Sequence, residues 1–174
     1  LDKDSGPLRD GTVDLDTGVV DGHISPEVRA QALFRDRYLG VVRMGHPLSE
    51  VDITPQRFAA AGHVHVSRRD NDLGPIDGAL QALGLQRQIV TVVGGFSAAL
   101  ALARATDLVA CVHEQHTGNL CAGMHRFAIP LDLAPFTVSM LWHPRLDGDP
   151  AHRWLRGCVR FACAEVTAAG APSA

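Results

Sequence analysis

Residues 39–48 read LGVVRMGHPL, an apolar run halted by a His-Pro step. From Tyr38 to Arg43, β-branched and aromatic side chains dominate, which is the composition of a strand. Pro47 bars His46 from the helical region and removes a ladder donor, so the strand has to stop there. The apolar character of Val41 and Val42 implies packing on both faces of that strand. The flanking sequence, accordingly, alternates strands with helices.

Upstream, PLRDG at residues 7–11 reads as the last turn of a helix closed by glycine, and VDLDTGVV at 13–20 alternates and then runs apolar, as a strand does. After a turn at 21–26, residues 28–43 hold one or two further strands. Downstream, Thr54 and Pro55 have the residue types of an N-cap and a first helical position, and a short helix over 56–61 is expected to close at Gly62. HVHVS at 63–67 is a strand. Gly74-Pro75 opens a helix through Leu83 that Gly84 closes, and QIVTVV at 88–93 is a strand ending in Gly94-Gly95. The alanine-rich stretch 96–106 is expected to be a mostly buried helix, followed by the strand LVACVH at 108–113. This βαβ rhythm predicts a parallel sheet. Strands at 127–131 and 138–143 and an amphipathic helix over 150–166 complete the chain.

Composition sets the outer limits. The 174 residues, 46% apolar, are enough for one core or two small lobes and too apolar for a disordered chain. With 16 Lys+Arg against 19 Asp+Glu, the net charge of −3 supplies no basic field for nucleic acid. No apolar stretch reaches the length of a membrane span and no charged-then-apolar leader opens the chain, so neither insertion nor export is expected. Cys111, Cys121, Cys158 and Cys163 lack CxxC spacing, which favours reduced thiols in a cytoplasmic setting over a disulfide framework.

Four segments in order, LRDGTVDLDTGVV, LFRDRYLGVVRMGHPL, GGFSAALALARATDLVACVHE and FTVSMLWHP with the terminal helix, resemble the effector-binding domain of LysR-type transcriptional regulators. The resemblance covers nearly the whole chain, and its specificity lies in order and spacing rather than in any single motif. It implies an α/β fold of two Rossmann-like lobes joined by two crossover strands, the type II periplasmic-binding-protein architecture. LGVVRMGHPL corresponds to the outgoing crossover and FTVSMLWHP to the return, with Val41 and Val42 expected near Met140 and Leu141. Lobe one is then discontinuous, residues 1–48 and 137–167, lobe two is 49–136, and 168–174 is a flexible tail. The family's first strand and first helix of lobe one, and the winged helix-turn-helix before them, are not found among these segments.

The function implied by the resemblance is ligand sensing for transcription regulation. A small-molecule effector in the inter-lobe cleft biases the domain between two arrangements. That bias passes through a homo-oligomer, a dimer or in the full-length protein a tetramer, to a DNA-binding domain outside this chain. A periplasmic solute-binding protein of the same architecture is the alternative, and the unpaired cysteines and the His-Pro crossover favour the regulator.

In open α/β sheets ligands lie beyond the carboxyl ends of the strands, which selects the candidate residues. The turn Gly94-Gly95-Phe96-Ser97 brings backbone N–H groups at a helix N-terminus close to a bound group, so Gly95, Phe96 and Ser97 are expected to contact ligand. Ser67 and Arg68 follow the HVHVS strand, and a guanidinium there suits an anion. Asp4, Ser5 and Gly18 are the corresponding positions on the other lobe.

Other chemistries find less support. His63-x-His65 and His113-x-x-His116 are pairs, whereas a metal needs three or four converging donors, so neither a metal site nor a cofactor is expected. Cys111 and Cys121 are spaced for a redox pair, but Cys111 falls inside an apolar strand, where a thiol behaves as a small hydrophobe. No GxSxG, HExxH or P-loop sequence occurs, and no enzymatic activity is expected.

Overall fold

In order, the elements are α1 (Gly6–Asp10), β1 (Asp16–Val19), β2 (Arg29–Asp36), β3 (Tyr38–Arg43), α2 (Pro55–Ala60), β4 (Gly62–Val66), α3 (Pro75–Ala82), β5 (Gln88–Val93), α4 (Phe96–Ala105), β6 (Val109–His113), α5 (Glu114–Thr117), β7 (Met124–Ala128), β8 (Phe136–Trp142) and α6 (Pro150–Ala169). Three 3-10 turns, Pro47–Glu50, Gly118–Cys121 and Pro144–Leu146, join them. The computed structural model describes residues 5–20, 26–67 and 74–169. The chain divides into two compact units, one from residues 1–36 and 135–174, the other from 37–134.

In the discontinuous unit, β8 lies between β1 and β2 and pairs antiparallel with both. Leu8, Val28 and Leu141 form its buried cluster, and α6 packs on β2. The predicted glycine stop after α1 is present, Gly11 taking a left-handed φ of 86°. Arg145 donates to the carbonyls of Leu8 and Arg9, both at 2.8 Å, placing a cation where the short helix presents its carbonyls. The Trp142 indole N–H donates to Asp147 at 2.6 Å, and the Arg156 guanidinium sits 4.7 Å from the centre of the Trp142 ring.

The 37–134 unit is a five-stranded sheet in the order β5-β4-β6-β3-β7, with β4 parallel to β5 and β6, and β3 antiparallel to β6 and β7. Its faces follow the alternation of side chains along β3. Leu39 and Val41 pack with Ala99, Leu100 and Ala103 of α4, while Val42 packs with Phe58 of α2 and Ile76 and Leu80 of α3. The Phe127 ring crosses β3 at Gly40, where a Cβ would lie only 2.4 Å from the ring, so the close approach requires glycine.

This placement corrects one expectation. Residues 37–48 belong to the 37–134 unit and not to the discontinuous one, and the strand that carries Val41 and Val42 pairs with β6 and β7. Val41 faces Ala110 and Arg126 and Val42 faces His125, whereas Met140 is flanked by Thr17 and Gln31. β8 pairs with β1 on one side and with β2 on the other, the latter up to the pair Asp36↔Phe136, and the chain passes to the second unit at Arg37. β3 is apolar on both faces because it lies inside a sheet covered by helices on each side.

The His-Pro step has a local task. His46 is the N-cap of the 3-10 turn that follows β3: its Nδ1 accepts from Leu48 N–H at 3.0 Å, and its Nε2–H donates to the Asp107 carbonyl at 3.1 Å. The end of β8 repeats the device, His143 Nδ1 accepting from Arg145 N–H at 3.2 Å with Pro144 in the first position. In both cases proline fixes the first turn and the imidazole satisfies an orphan donor.

Smaller differences have similarly local causes. Thr54 caps α2 as predicted, accepting from Arg57 N–H at 3.2 Å, but Gly62 opens β4 instead of closing the helix, because a Cβ there would press on Leu108 and Val90 at 3.0 Å. β7 begins at Met124, ahead of the predicted 127–131. α4 buries only one face, Ala99, Leu100 and Ala103, since alanine marks neither a buried nor an exposed side by its type. α6 extends to Ala169, and residues 170–174 of the predicted tail lie outside the described residues.

His63 makes the stability of this unit pH-dependent. It is fully buried, edge-on to Phe58 with ring centres 4.7 Å apart, and its Nε2–H donates to the Phe58 carbonyl at 2.7 Å. Its Nδ1 meets no hydrogen-bond partner among the described residues. Burial pushes the imidazole down to about 4 from the ordinary 6.5, the bond to Phe58 opposing the change and the Arg87 charge adding to it. The unfolded chain therefore takes up this proton first as pH falls. The contribution is fully present above about pH 6.5 and is lost progressively down to about pH 4, removing about 3 kcal/mol. Denaturant unfolding as a function of pH should show this loss, and His63→Phe should flatten the profile between those two values.

Candidate functional site

Because β4, β5 and β6 run parallel, their carboxyl ends fall on one edge of the sheet. Ser67 follows β4 there, and its N–H donates at 3.0 Å to the carbonyl of Val93, the last residue of β5. Gly94 and Gly95 lead directly into α4, and His113, the last residue of β6, leads into α5. Three strand ends thus meet two helix starts.

Gly95 is the N-cap of α4, with φ −169° and ψ 161°, an extended backbone open to any residue. A Cβ at Gly94 or Gly95 would meet no atom within 4 Å, so the backbone of this turn is accessible. The N–H groups of Phe96, Ser97 and Ala98 open the helix and have no acceptor one turn earlier, while Ala99 N–H donates to the Gly95 carbonyl at 3.2 Å. Ser97 is exposed beside them.

Around Phe96 the edge carries rings. Its centre lies 4.7 Å from that of His113 and 5.8 Å from that of His116, and the Tyr38 ring stands edge-on to His113 at 5.3 Å. Tyr38 reaches this point because it pairs with His113 across β3 and β6. Arg37, just before β3, is bonded to Glu114: the Glu114 N–H donates to the Arg37 carbonyl at 3.0 Å, and Arg37 Nη2 donates to Glu114 Oε1 at 2.9 Å. The Arg37 guanidinium holds the Glu114 carboxyl below its usual range against the opposing effect of burial.

Of the residues selected from the sequence, Ser67, Gly95, Phe96 and Ser97 come together on this edge. Ser5 and Gly18 lie in the other unit, Ser5 as the N-cap of α1 and Gly18 within β1 opposite Ser139. Arg68 and Asp4 lie outside the described residues. Tyr38, His113 and His116 were not among the selected residues. The signal available was the His113-x-x-His116 spacing at a strand end, which on its own suggested only an incomplete metal pair.

The other imidazole pair is committed elsewhere. His63 and His65 share a face of β4, but His63 bonds Phe58, while His65 Nδ1 lies 3.0 Å from Arg87 Nη2. Arg87 is buried and forms a two-pronged ion pair with Asp77, at 2.7 and 2.8 Å. Burial alone would raise the Asp77 carboxyl, but the hydrogen bonds and charge of Arg87, with Gly74 N–H at 3.2 Å, outweigh it and hold the group below its ordinary value. Cys111, beside this pair, has its thiol pushed up to about 12 by burial, so it remains protonated and inert as a nucleophile. Among the described residues, no three His, Cys, Asp or Glu side chains converge to hold a metal ion. No helix of the described residues is long and apolar enough to cross a membrane.

Residues 5–164 match the family described as the LysR substrate binding domain. The chain belongs to that family. It is 34% identical over 160 residues to the HTH-type transcriptional regulator SyrM of Rhizobium meliloti (strain 1021), an alignment covering 90% of this chain and 49% of that protein. A solved structure described as a transcriptional regulator from Vibrio parahaemolyticus superposes with a TM-score of 0.79 at 26% identity, covering 94% of this chain and 76% of the other. The effector-binding domain of QuiR, solved in complex with shikimate, shares the fold at a TM-score of 0.71 and 16% identity, covering 91% of this chain and 76% of the other. The LysR-type domain spans about half the length of the curated relatives it matches. Its fold is therefore the regulatory α/β architecture expected from the four quoted segments.

Proposed function

We propose that this LysR-type domain senses a small anionic effector held on the carboxyl edge of β4, β5 and β6. The observation that carries the reading is the junction of Ser67, the open Gly94-Gly95 turn and the first N–H groups of α4 on one sheet edge. Backbone donors at a helix start favour negative charge, and the Ser97 hydroxyl adds a hydrogen-bonding partner. Phe96, Tyr38, His113 and His116 supply a ring-lined flank suited to the body of a small organic acid. Gly18, Ser5, Asp4 and Arg68 remain part of the same proposal as further contacts.

Occupancy would act by population shift: an effector that binds one arrangement of the domain better than another raises the population of that arrangement. In the whole protein, a cytoplasmic regulator, this bias would reach a DNA-binding part outside the present chain through association of copies. Exposed Val90 and Val92 on the edge strand β5 support such association. The regulator names of the relatives favour this role over that of a solute-binding protein.

A thermal-shift screen of small carboxylates, each beside its neutral amide, tests the reading. A carboxylate present at a hundredfold excess over its Kd stabilises the native state by about 2.7 kcal/mol and raises the unfolding midpoint. The amides should leave it unmoved. Equal stabilisation by acid and amide, or none by any acid, would remove the anionic effector.

A further inference from the structure

The Asp77–Arg87–His65 cluster is more than a buried ion pair, because its third member is titratable. A guanidinium can only donate, so the 3.0 Å contact from Arg87 Nη2 requires a bare Nδ1 and hence a neutral His65 carrying its proton on Nε2. Asp77 stands in the first turn of α3, and its second oxygen accepts from Gly74 N–H at the start of that helix. His65 stands in β4, two residues before Ser67. Through Arg87, the end of β4 is joined to the beginning of α3.

We infer that His65 is a pH-sensitive positioning residue, whose neutral imidazole latches the end of β4 to the start of α3 and whose protonation opens that latch. A bare imidazole nitrogen is a proton acceptor, so the latch contact and protonation compete for the same Nδ1 lone pair. A proton taken from solvent onto Nδ1 replaces an acceptor by a donor and sets an imidazolium against a guanidinium, so the contact must break. The groups facing the cluster are Asp77 from α3, Arg87 from the residue preceding β5, Cys111 from β6 and His63 from β4 itself. None offsets the added charge above about pH 4: Asp77 is already an anion, Cys111 remains a thiol, and His63 stays neutral. The cluster therefore passes from zero net charge to +1, and Ser67 loses the anchor behind it. The link to effector recognition rests on the reading that Ser67 lies on the ligand edge, but the latch itself is independent of any effector.

The test uses the intact chain without effector, followed by nitrogen-resolved NMR from about pH 8 to pH 5. At the upper limit His65 should be the Nε2–H tautomer. As the His65 ring takes up its proton, the amide signals of Ser67 and Gly74 should move with the same midpoint as the ring. His65→Asn supplies a carbonyl that accepts from Arg87 at every pH, and should abolish the shared transition while retaining the neutral-pH spectrum. The inference is overturned if His65 carries its proton on Nδ1 at neutral pH, if Ser67 and Gly74 stay still while His65 titrates, or if His65→Asn keeps the transition. Should His65→Asn fail to fold, the tautomer and the shared midpoint in the unsubstituted chain decide alone. A failed carboxylate screen leaves these signals as they are, so the two readings fall separately.

Discussion

Arg87→Ala is expected to destabilise the domain by about 3–5 kcal/mol, the cost of leaving one charge of a buried pair without its partner. Asp77 would keep only the Gly74 N–H, in surroundings that already oppose its ionised form. A native protein has only about 5–15 kcal/mol of stability, so the variant should unfold at much lower denaturant concentration. Asp77→Ala should cause a loss of similar size. The double variant should lose clearly less than the sum of the two, because removing both charges leaves neither unpaired. Urea unfolding of the four proteins in this cycle measures it, and additive losses would show that the two residues act independently.

Gly95→Val is expected to weaken effector binding by about 3 kcal/mol or more, roughly a hundredfold or greater in Kd, by blocking at least two charge-assisted N–H contacts. The fold should tolerate the change. Gly95 already has an extended backbone and a Cβ there meets no atom within 4 Å. The remaining cost is a poorer N-cap for α4, about 1 kcal/mol. Ser97→Ala removes one hydroxyl and should weaken binding only several-fold, about 1 kcal/mol. Calorimetric titration with an acid found by the thermal-shift screen compares the three proteins. Unchanged affinity in Gly95→Val would mean that the turn only joins β5 to α4.

The histidines illustrate what a local reading can reach. His46 and His143, each followed by proline, end a strand for a reason contained within a few residues, since each imidazole accepts an N–H two positions on. His63 and His65 look alike in HVHVS, yet one is a buried neutral group on the Phe58 carbonyl and the other faces Arg87, twenty-two residues away. His113 and His116 gain their meaning from Phe96 and Tyr38, which come from other elements. Spacing alone could not separate a capping, a buried and an edge imidazole, because the partners that distinguish the last two are remote in sequence.

By itself the sequence determined the alternation of elements around β4, β5, α4 and β6, the stops at Gly11 and at His46-Pro47, the glycine turn before α4, and the family through the order of four segments. These depend on backbone preferences and side-chain periodicity, which act over a few residues. Only the tertiary structure decided that β3 pairs with β6 and β7, that β8 lies between β1 and β2, and that the ring cluster gathers around Phe96. A strand apolar on both faces satisfies its local preferences in either unit. Its sheet and register are selected by side chains far along the chain that bury those faces, and no short stretch contains that information.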